Sequence, residues 1–480
     1  MELRQRLLLI LALCGQAAVA ASPPALTQLS RLANDGARIS AAVWDLDADQ
    51  SVVQLGGGER LIPASLSKIV IAAAALETWA PDFSFSTQLR AAAAPLNGTL
   101  TGNLILRGSG DATFDETTLW ALAAQLRGAG IRRVTGGVLV ERAPFGELQC
   151  DTVDRCAGLR RSARAYNAAP SAIGVNYGSW CIAVRAPEAT GNARVGGCAT
   201  GELPIPLSGT VRVGAGGALQ VERNTDGAGD RIAVSGSIAA GTERQVHRAM
   251  SDPAAGAGII LRSILRQTGV TVDGAVETTA LPVAQASVLL ASVDGLPLQE
   301  QIGRMMRYSN NYIADVLTMG VALARNGRAP RSLAEASQSL TELVRSGGAG
   351  ADAGLVMESG SGLTTTNRLS ALDLVNVLKR EYRDTRRFPA FYGSFVVPGD
   401  ASFTYLRSGN TDWLQRVALK TGSLTDPVSV NGIAGYLRKR NGGWMAFAVI
   451  VNGAGRLRQI PHEQALRAAR ADIETVLAQN

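Results

Sequence analysis

Strand-forming sequence lies at both ends of this chain, with most of the polypeptide between. Residues 39–46 alternate apolar and polar, 47–50 turn, and 51–55 return, which is the pattern of a hairpin. Two strands alone are marginal in water, so the hairpin needs partners. Val417–Leu424, residues 430–437 and residues 444–451 supply them as a three-strand meander with Asn441-Gly442-Gly443 at its second turn. Both ends therefore build one antiparallel sheet, and the middle of the chain is an insertion into a split domain.

A chain of 480 residues is too long for one ordinary core, so two or three domains are expected. The pattern divides it into a leader at 1–20, a split domain at 21–84 and 284–480, and an inserted region at 85–283. Residues 23–34 carry Leu26, Leu29 and Leu32 at helical spacing. Residues 63–79 open with Pro63 and are apolar on nearly every side, which predicts a helix buried at the centre of the fold. The insertion is different in character. Short strand-like runs at 100–107 (after Asn97-Gly98), 137–141, 181–185, 211–213 and 231–234 alternate with glycine-rich turns, and helical spacing occurs at 117–128 and 256–267. Helical spacing returns at 296–306 and 313–324. The closing amphipathic stretch His462–Gln479 is expected to pack on the sheet rather than lie on a membrane.

The first residues read as an export signal. Arg4 and Arg6 precede the apolar run 7–13, and Ala18-Val19-Ala20 is a small-x-small cleavage site. Leu13 before Cys14 argues against a lipid-modified cysteine, and no later segment is long and apolar enough to span a bilayer. A periplasmic or secreted protein cleaved near Ala20 follows. Cys150, Cys156, Cys181 and Cys198 remain, an even number that reads as two disulfides in an exported chain, with 150–156 and 181–198 favoured among three pairings. Zinc is disfavoured by the C-x5-C spacing and by only two histidines. The net charge of +7 comes from arginines scattered singly or in pairs, so nucleic-acid binding is not expected.

Only four of the 47 basic residues are lysines: Lys68, Lys379, Lys420 and Lys439. A guanidinium cannot give up its proton in a protein, whereas a buried ammonium can. Two of the four stand in short motifs, Ser65-Leu66-Ser67-Lys68 and Lys420-Thr421-Gly422-Ser423, with Ser309-Asn310-Asn311 between them. Ser65 and Lys68, three apart at a helix start, share one face, and an uncharged Lys68 could take the serine proton. Ser309-Asn310-Asn311 reads as a kinked connection between helices, or as the N-cap of the second. Lys420-Thr421-Gly422-Ser423 continues a strand, where Gly422 suggests close approach of another backbone and the edge could take an added peptide. Strict alternation puts Lys420 and Thr421 on opposite faces. Backbone N–H groups of Ser65 and Ser423 could form an oxyanion hole. His247 and His462 sit in no motif for a Ser-His-Asp triad, and Asp111 and Asp115 read as a turn rather than a metal site. There is no Walker loop, H-E-x-x-H or dinucleotide fingerprint, so no cofactor or metal is expected.

In order, S-x-x-K, S-x-N and K-T-G resemble the active-site serine enzymes that handle penicillins and D-Ala-D-Ala peptides. With Ser309 standing 244 positions after Ser65, and with Tyr166-Asn167-Ala168-Ala169-Pro170-Ser171-Ala172 inside the insertion, nearly the whole mature chain resembles the D-alanyl-D-alanine carboxypeptidase/endopeptidase family, the class C low-molecular-mass penicillin-binding proteins. The resemblance implies an α+β penicillin-recognising domain with a five-stranded antiparallel sheet flanked by helices, and two β-rich inserted domains, nested. It implies that Ser65 is acylated, that Lys68 is its base, that Ser309, Asn311 and Lys420 complete proton transfer, and that Thr421, Gly422 and Ser423 bind the substrate terminus. Peptidoglycan stem peptides would be the substrates, and β-lactams covalent inhibitors. Departures are Ser359-Gly360-Ser361-Gly362-Leu363 where the family often has Asp-Gly-Ser-Gly-Leu, Asp400-Ala401-Ser402-Phe403 for an Asp-Gly-Thr-Leu type run, and Asn310 for a common Asp. A β-lactamase and a non-catalytic wall-binding protein are the alternatives. The long insertion and the lack of an E-x-x-L-N element weigh against the first, the intact motifs against the second.

Overall fold

The computed structural model describes residues 25–149, 163–199, 201–214, 216–348 and 354–480. The two ends of the chain meet in a five-stranded antiparallel sheet of order β2-β1-β5-β4-β3, formed by β1 (Arg38–Asp45), β2 (Gln50–Leu55), β3 (Val417–Leu424), β4 (Val430–Arg438) and β5 (Trp444–Asn452). β1 pairs with β5 along its whole length, from Arg38 opposite Asn452 to Asp45 opposite Met445. The last strand thus closes the first hairpin.

Longer helices cover this sheet: α1 (Thr27–Asn34), α2 (Ser67–Thr78), α3 (Leu298–Arg307), α4 (Asn311–Asn326), α5 (Leu333–Ser346), α6 (Ala371–Tyr382) and α7 (His462–Gln479). Successive strand residues point to opposite faces, and here both faces are dry. Met445, Phe447, Val449 and Val451 of β5 pack with Leu29 of α1 and with Leu466 and Ile473 of α7. Ala446, Ala448 and Ile450 join Ala42 and Ala434 in the other core, with α2 and α4 to α6. Small side chains on that side let α6 lie close against β1 and β5. Expected as buried, α2 has ten of its twelve residues out of solvent. It starts one turn later than the pattern suggested, because Ala64–Leu66 forms a separate 3-10 turn.

The ends of the chain are also joined by charge. Asp472 of α7 is buried and accepts from the backbone N–H groups of Gln28 and Leu29 at 3.0 and 2.9 Å, supplying the cap that Leu26 cannot provide. At the far end of the sheet the other two lysines clamp the β1–β2 turn. Lys439 Nζ lies 2.9 Å from Asp45 and 2.7 Å from Asp47, and Lys379 Nζ lies 2.5 Å from Asp49 and over the Trp44 ring. Beside the helices, Arg60 grips Asp373 at the head of α6 with two hydrogen bonds, 2.9 and 3.2 Å.

The insertion has its own core. Its main sheet runs in the order Val276–Thr279, Val138–Glu141, Leu104–Gly108, Ser86–Ala91, Val288–Asp294, with the first three strands parallel. Helices Glu116–Gly128 and Pro253–Gln267 pack on it. Smaller three-stranded sheets between Ser179 and Ala249 interrupt it. Three expectations need correction. Val288–Asp294, placed by pattern in the last part of the split domain, pairs with Ser86–Ala91 of the inserted sheet; a register shift between Leu289 and Ala291 breaks the alternation that would have marked it. The run 100–107 is two strands, Thr99–Leu100 and Leu104–Gly108. Helix Pro253–Gln267 begins earlier than expected, at Pro253 behind an Asp252 cap. Cys181 and Cys198 are joined by a disulfide. The leader at 1–20 and the Cys150–Cys156 pair lie outside the described residues.

Replacing Asp472 by Ala leaves two N–H groups of α1 without their acceptor, a loss of about 1–3 kcal/mol. Asp472→Ala should therefore lower the thermal midpoint, whereas the same substitution in a chain already lacking α1 should add little to the large loss that removing Leu29 and Leu32 causes. Full additivity of the two in thermal denaturation would refute the coupling of the chain ends.

Candidate active site

Ser65 sits in the 3-10 turn ahead of α2. Side chains three apart eclipse one another in such a turn, so Ser65 and Lys68 meet more directly than on a continuous α-helix. Lys68 Nζ lies 3.0 Å from Ser65 Oγ. The lysine is fully buried, the serine half-buried. Lys68 Nζ also donates to Asn311 Oδ1 at 2.8 Å and to the Ser361 carbonyl at 2.6 Å.

Ser309 and Asn311 would face different sides of one helix, yet they reach one site because the helix breaks between them. α3 ends at Arg307, and Ser309 has φ +52°, in the left-handed region that residues with a side chain seldom adopt. Asn310 then caps α4, accepting from Ile313 N–H at 3.0 Å. Both sequence readings thus hold, for different residues: Asn310 is the cap, and its neighbours face the site. Lys420 Nζ donates to Ser309 Oγ at 3.0 Å and to the Thr421 carbonyl at 2.6 Å. Burial pushes the Lys420 ammonium down from 10.5 to about 7.

Gly422 explains how β3 comes so near. A Cβ there would stand 2.9 Å from the Pro63 carbonyl oxygen and 3.1 Å from the Leu66 nitrogen, so only glycine lets the strand pass against the nucleophile turn. Leu419 exchanges backbone hydrogen bonds with Val396 at 2.9 and 2.8 Å on the outer side of β3. By antiparallel alternation the backbone groups of Thr421 and Ser423 face outward as well, beyond that bridge. Lys420 and Gly422 share the face toward the turn. The backbone groups of Thr421 and Ser423 thus line the open edge beside the site.

Other groups join that the motifs did not reveal. The Ser361 carbonyl holds Lys68, and Asp315 of α4 is buried behind it. A visible signal existed, since Asp315 is the one charge in the apolar run 312–324. Asn311 Nδ2 donates to the Tyr166 carbonyl at 3.1 Å, so the insertion touches the site through the Tyr166-to-Ala172 segment singled out in the sequence. Tyr312 reinforces this contact, its hydroxyl 3.3 Å from the Ser171 carbonyl. Neither histidine joins in: His462 contacts Asn431, and His247 lies in strand Glu243–Ala249. Asp111 and Asp115 accept from Thr113 and Thr118 as turn and cap, and no cluster of three metal-binding side chains exists among the described residues.

The arrangement has a chemical consequence. A neutral amine has two N–H donors and one lone pair, and a carbonyl or amide oxygen can only accept. With N–H donors directed at Asn311 Oδ1 and the Ser361 carbonyl, an uncharged Lys68 can turn its lone pair to the Ser65 hydroxyl 3.0 Å away.

Residues 25–478 match the D-Ala-D-Ala carboxypeptidase 3 (S13) family. A D-alanyl-D-alanine carboxypeptidase of Actinomadura sp. (strain R39) is 29% identical over 439 residues, 87% of this chain and 78% of that one. The fold is similar to that of penicillin-binding protein 4 (dacB) from Haemophilus influenzae, with TM-score 0.75, 22% identity, and 94% of this chain and 99% of that chain covered. That protein complexed with a β-lactam gives TM-score 0.72 at 22% identity, again over 94% of this chain and 99% of that one. No helix among the described residues is long and apolar enough to cross a membrane. The match spans both parts of the split sheet and the insertion between them, and the chain belongs to the D-Ala-D-Ala carboxypeptidase 3 (S13) family.

Proposed function

We propose that this protein is an exported serine peptidase that cleaves the D-Ala-D-Ala bond, or the D-Ala to diamino-acid crosslink, of peptidoglycan stem peptides through an acyl-Ser65 intermediate. The observation that carries the reading is the pairing of a buried lysine with each of two serines, Lys68 with Ser65 and Lys420 with Ser309. A stem peptide lies extended along the outer edge of β3, adding its backbone to the outward groups of Thr421 and Ser423. Its terminal carboxylate is drawn to Lys420 and the hydroxyls near it. Ser65 gives its proton to neutral Lys68 and attacks the carbonyl carbon. The oxyanion that forms is held by the backbone N–H groups of Ser65 and Ser423, the first of which lies at a helical start with no intrahelical acceptor. The C–N bond then breaks, and the leaving amine takes a proton from the Ser309 hydroxyl, which Lys420 and Lys68 resupply. Water hydrolyses the ester and restores Ser65. Asn311 orients Lys68 throughout and offers its amide to the peptide.

β-Lactams react as substrate mimics that acylate Ser65 and remain bound. The Cys181–Cys198 disulfide supports an oxidising compartment, consistent with a periplasmic or secreted enzyme.

Ser65→Ala should fold and lose fluorescent-penicillin labelling by roughly 10⁴-fold or more. Mass spectrometry of the wild-type adduct should place the added mass on the peptide carrying Ser65; a modified residue elsewhere would refute the reading. Lys420 supplies a pH signature. Its folded pKa of about 7 lies below the 10.5 of a free lysine, so as pH falls from 10.5 to about 7 the unfolded chain takes up a proton the folded one does not. Folding is therefore penalised progressively over that window and by a constant amount below it. Lys420→Met should lose acylation, and its stability relative to wild type in urea titrations should be highest near pH 7 and decline toward about pH 10. A pH-independent difference would contradict a buried, uncharged Lys420. Gly422→Val should abolish acylation as well, because its side chain collides with the nucleophile turn. Retained labelling in that variant would show that β3 does not need its close approach.

A further inference from the structure

One acceptor of Lys68 belongs to neither of its two partner motifs. The Ser361 carbonyl is delivered by the segment 358–362, which buried polar groups hold on several sides. Asp315 lies one helical turn beyond Asn311 on α4 and is fully buried. Its Oδ1 accepts from the Ser359 hydroxyl and from the Ser361 N–H, each at 3.1 Å. The Ser359 and Ser361 hydroxyls are 2.7 Å apart. Asn367, also fully buried, donates to the Ser359 carbonyl at 2.8 Å and to the Ser67 hydroxyl at 3.0 Å, and accepts from Glu358 N–H at 2.8 Å. Ser67 immediately precedes Lys68. Gly362 has φ +73°, and a Cβ there would run into the carbonyl of Ala64, the residue before the nucleophile. The segment is thus pinned to α4 at one end and to the nucleophile turn at the other.

We infer that Asp315 and Asn367 are positioning residues for the serine–lysine pair: by fixing residues 359–362 they hold the Ser361 carbonyl where it takes one Lys68 N–H and leaves the amine's lone pair aimed at Ser65. This rests on the reading of Ser65 as nucleophile and Lys68 as its base. The chemistry follows from where the Lys68 donors point. If the Ser361 carbonyl moves away, the N–H it held can turn instead to Ser65 Oγ, 3.0 Å from the nitrogen. The lysine then donates to the serine instead of receiving its proton, and the pair is unreactive although both side chains are present. It also accounts for serine at 359. A hydroxyl can donate to the Asp315 carboxylate, where an ionised carboxylate at that position could only accept.

The test is the acylation kinetics of the full-length protein with a fluorescent penicillin, separating the first-order acylation constant from the dissociation constant of the preceding complex. Asp315→Ala and Asn367→Ala should each lower the acylation constant about 10–100-fold, the scale expected of a misplaced reacting group, and leave the dissociation constant within about twofold. Asp315→Asn retains an acceptor oxygen and should recover most of the rate. Ser359→Ala removes a hydrogen bond to Asp315 and should lower acylation about 3–10-fold with the fold intact; it decides the matter if Asp315→Ala does not fold. Mass spectrometry should place the slow adduct on Ser65 in every variant, and an adduct elsewhere in wild type would defeat the mechanism itself rather than this inference. Wild-type acylation by the folded fraction of Asp315→Ala or of Ser359→Ala, whatever the change in thermal midpoint, would overturn the positioning role.

Discussion

A lysine amine buried at the centre of a protein is costly unless its N–H donors find acceptors. The architecture around Lys68 answers that demand. Four separate stretches of chain end within hydrogen-bonding distance of one another: the turn before α2, the break before α4, the loop 359–362, and β3 through its approach to that turn. None of them makes a site alone. α2 supplies the low-dielectric surroundings, since its residues from Ser67 to Leu76 are buried among the other helices and the sheet. What orders the site also limits it, because each acceptor of Lys68 has its own support in a different layer of the fold.

Two lysines are held this way, and the remaining two serve another purpose. Lys379 and Lys439 neutralise Asp45, Asp47 and Asp49 at the opposite end of the sheet. All four lysines therefore occupy positions where a compact amine is put to use. Burial that depresses Lys420 is a cost to stability near neutrality and a benefit to chemistry, a trade common at functional sites. Ser309 is a second such case. Its left-handed backbone is unfavourable for a residue with a side chain, and it is retained where the helix must break to turn a hydroxyl toward Lys420.

Much of this was legible in the sequence, for identifiable reasons. The hairpin at 39–55 and the meander at 417–452 could not be stable apart, so their strand patterns alone require the two to join. Period-two alternation marks both, and the apolar run after Pro63 could only be an interior helix. The motif residues Ser65, Lys68, Ser309, Asn311 and Lys420 converge as expected. What was not legible depends on tertiary proximity. The Ser361 and Tyr166 carbonyls act through backbone, which sequence does not distinguish by residue type. Asp315 was visible as a lone charge on an apolar helix, but its partners lie more than 40 positions away. Helices α5 and α6 carry Ser332 and Ser370 caps that a closer reading would have found. Val288–Asp294 escaped because its register shift removes the alternation by which strands are recognised.

The order of strands in the central sheet has a consequence for when this protein can become active. β1 is made before the insertion and, beyond β2, finds its second neighbour only in β5, long after the insertion has been made. Until Asn452 has emerged, the hairpin that begins the fold has an open edge, and β3 has no β4 to hold it beside Ser65. The nascent polypeptide therefore carries Ser65 and Lys68 without a groove to present them. Assembly of the groove around the reactive pair therefore waits for β3 to β5, an order of events written into the topology itself.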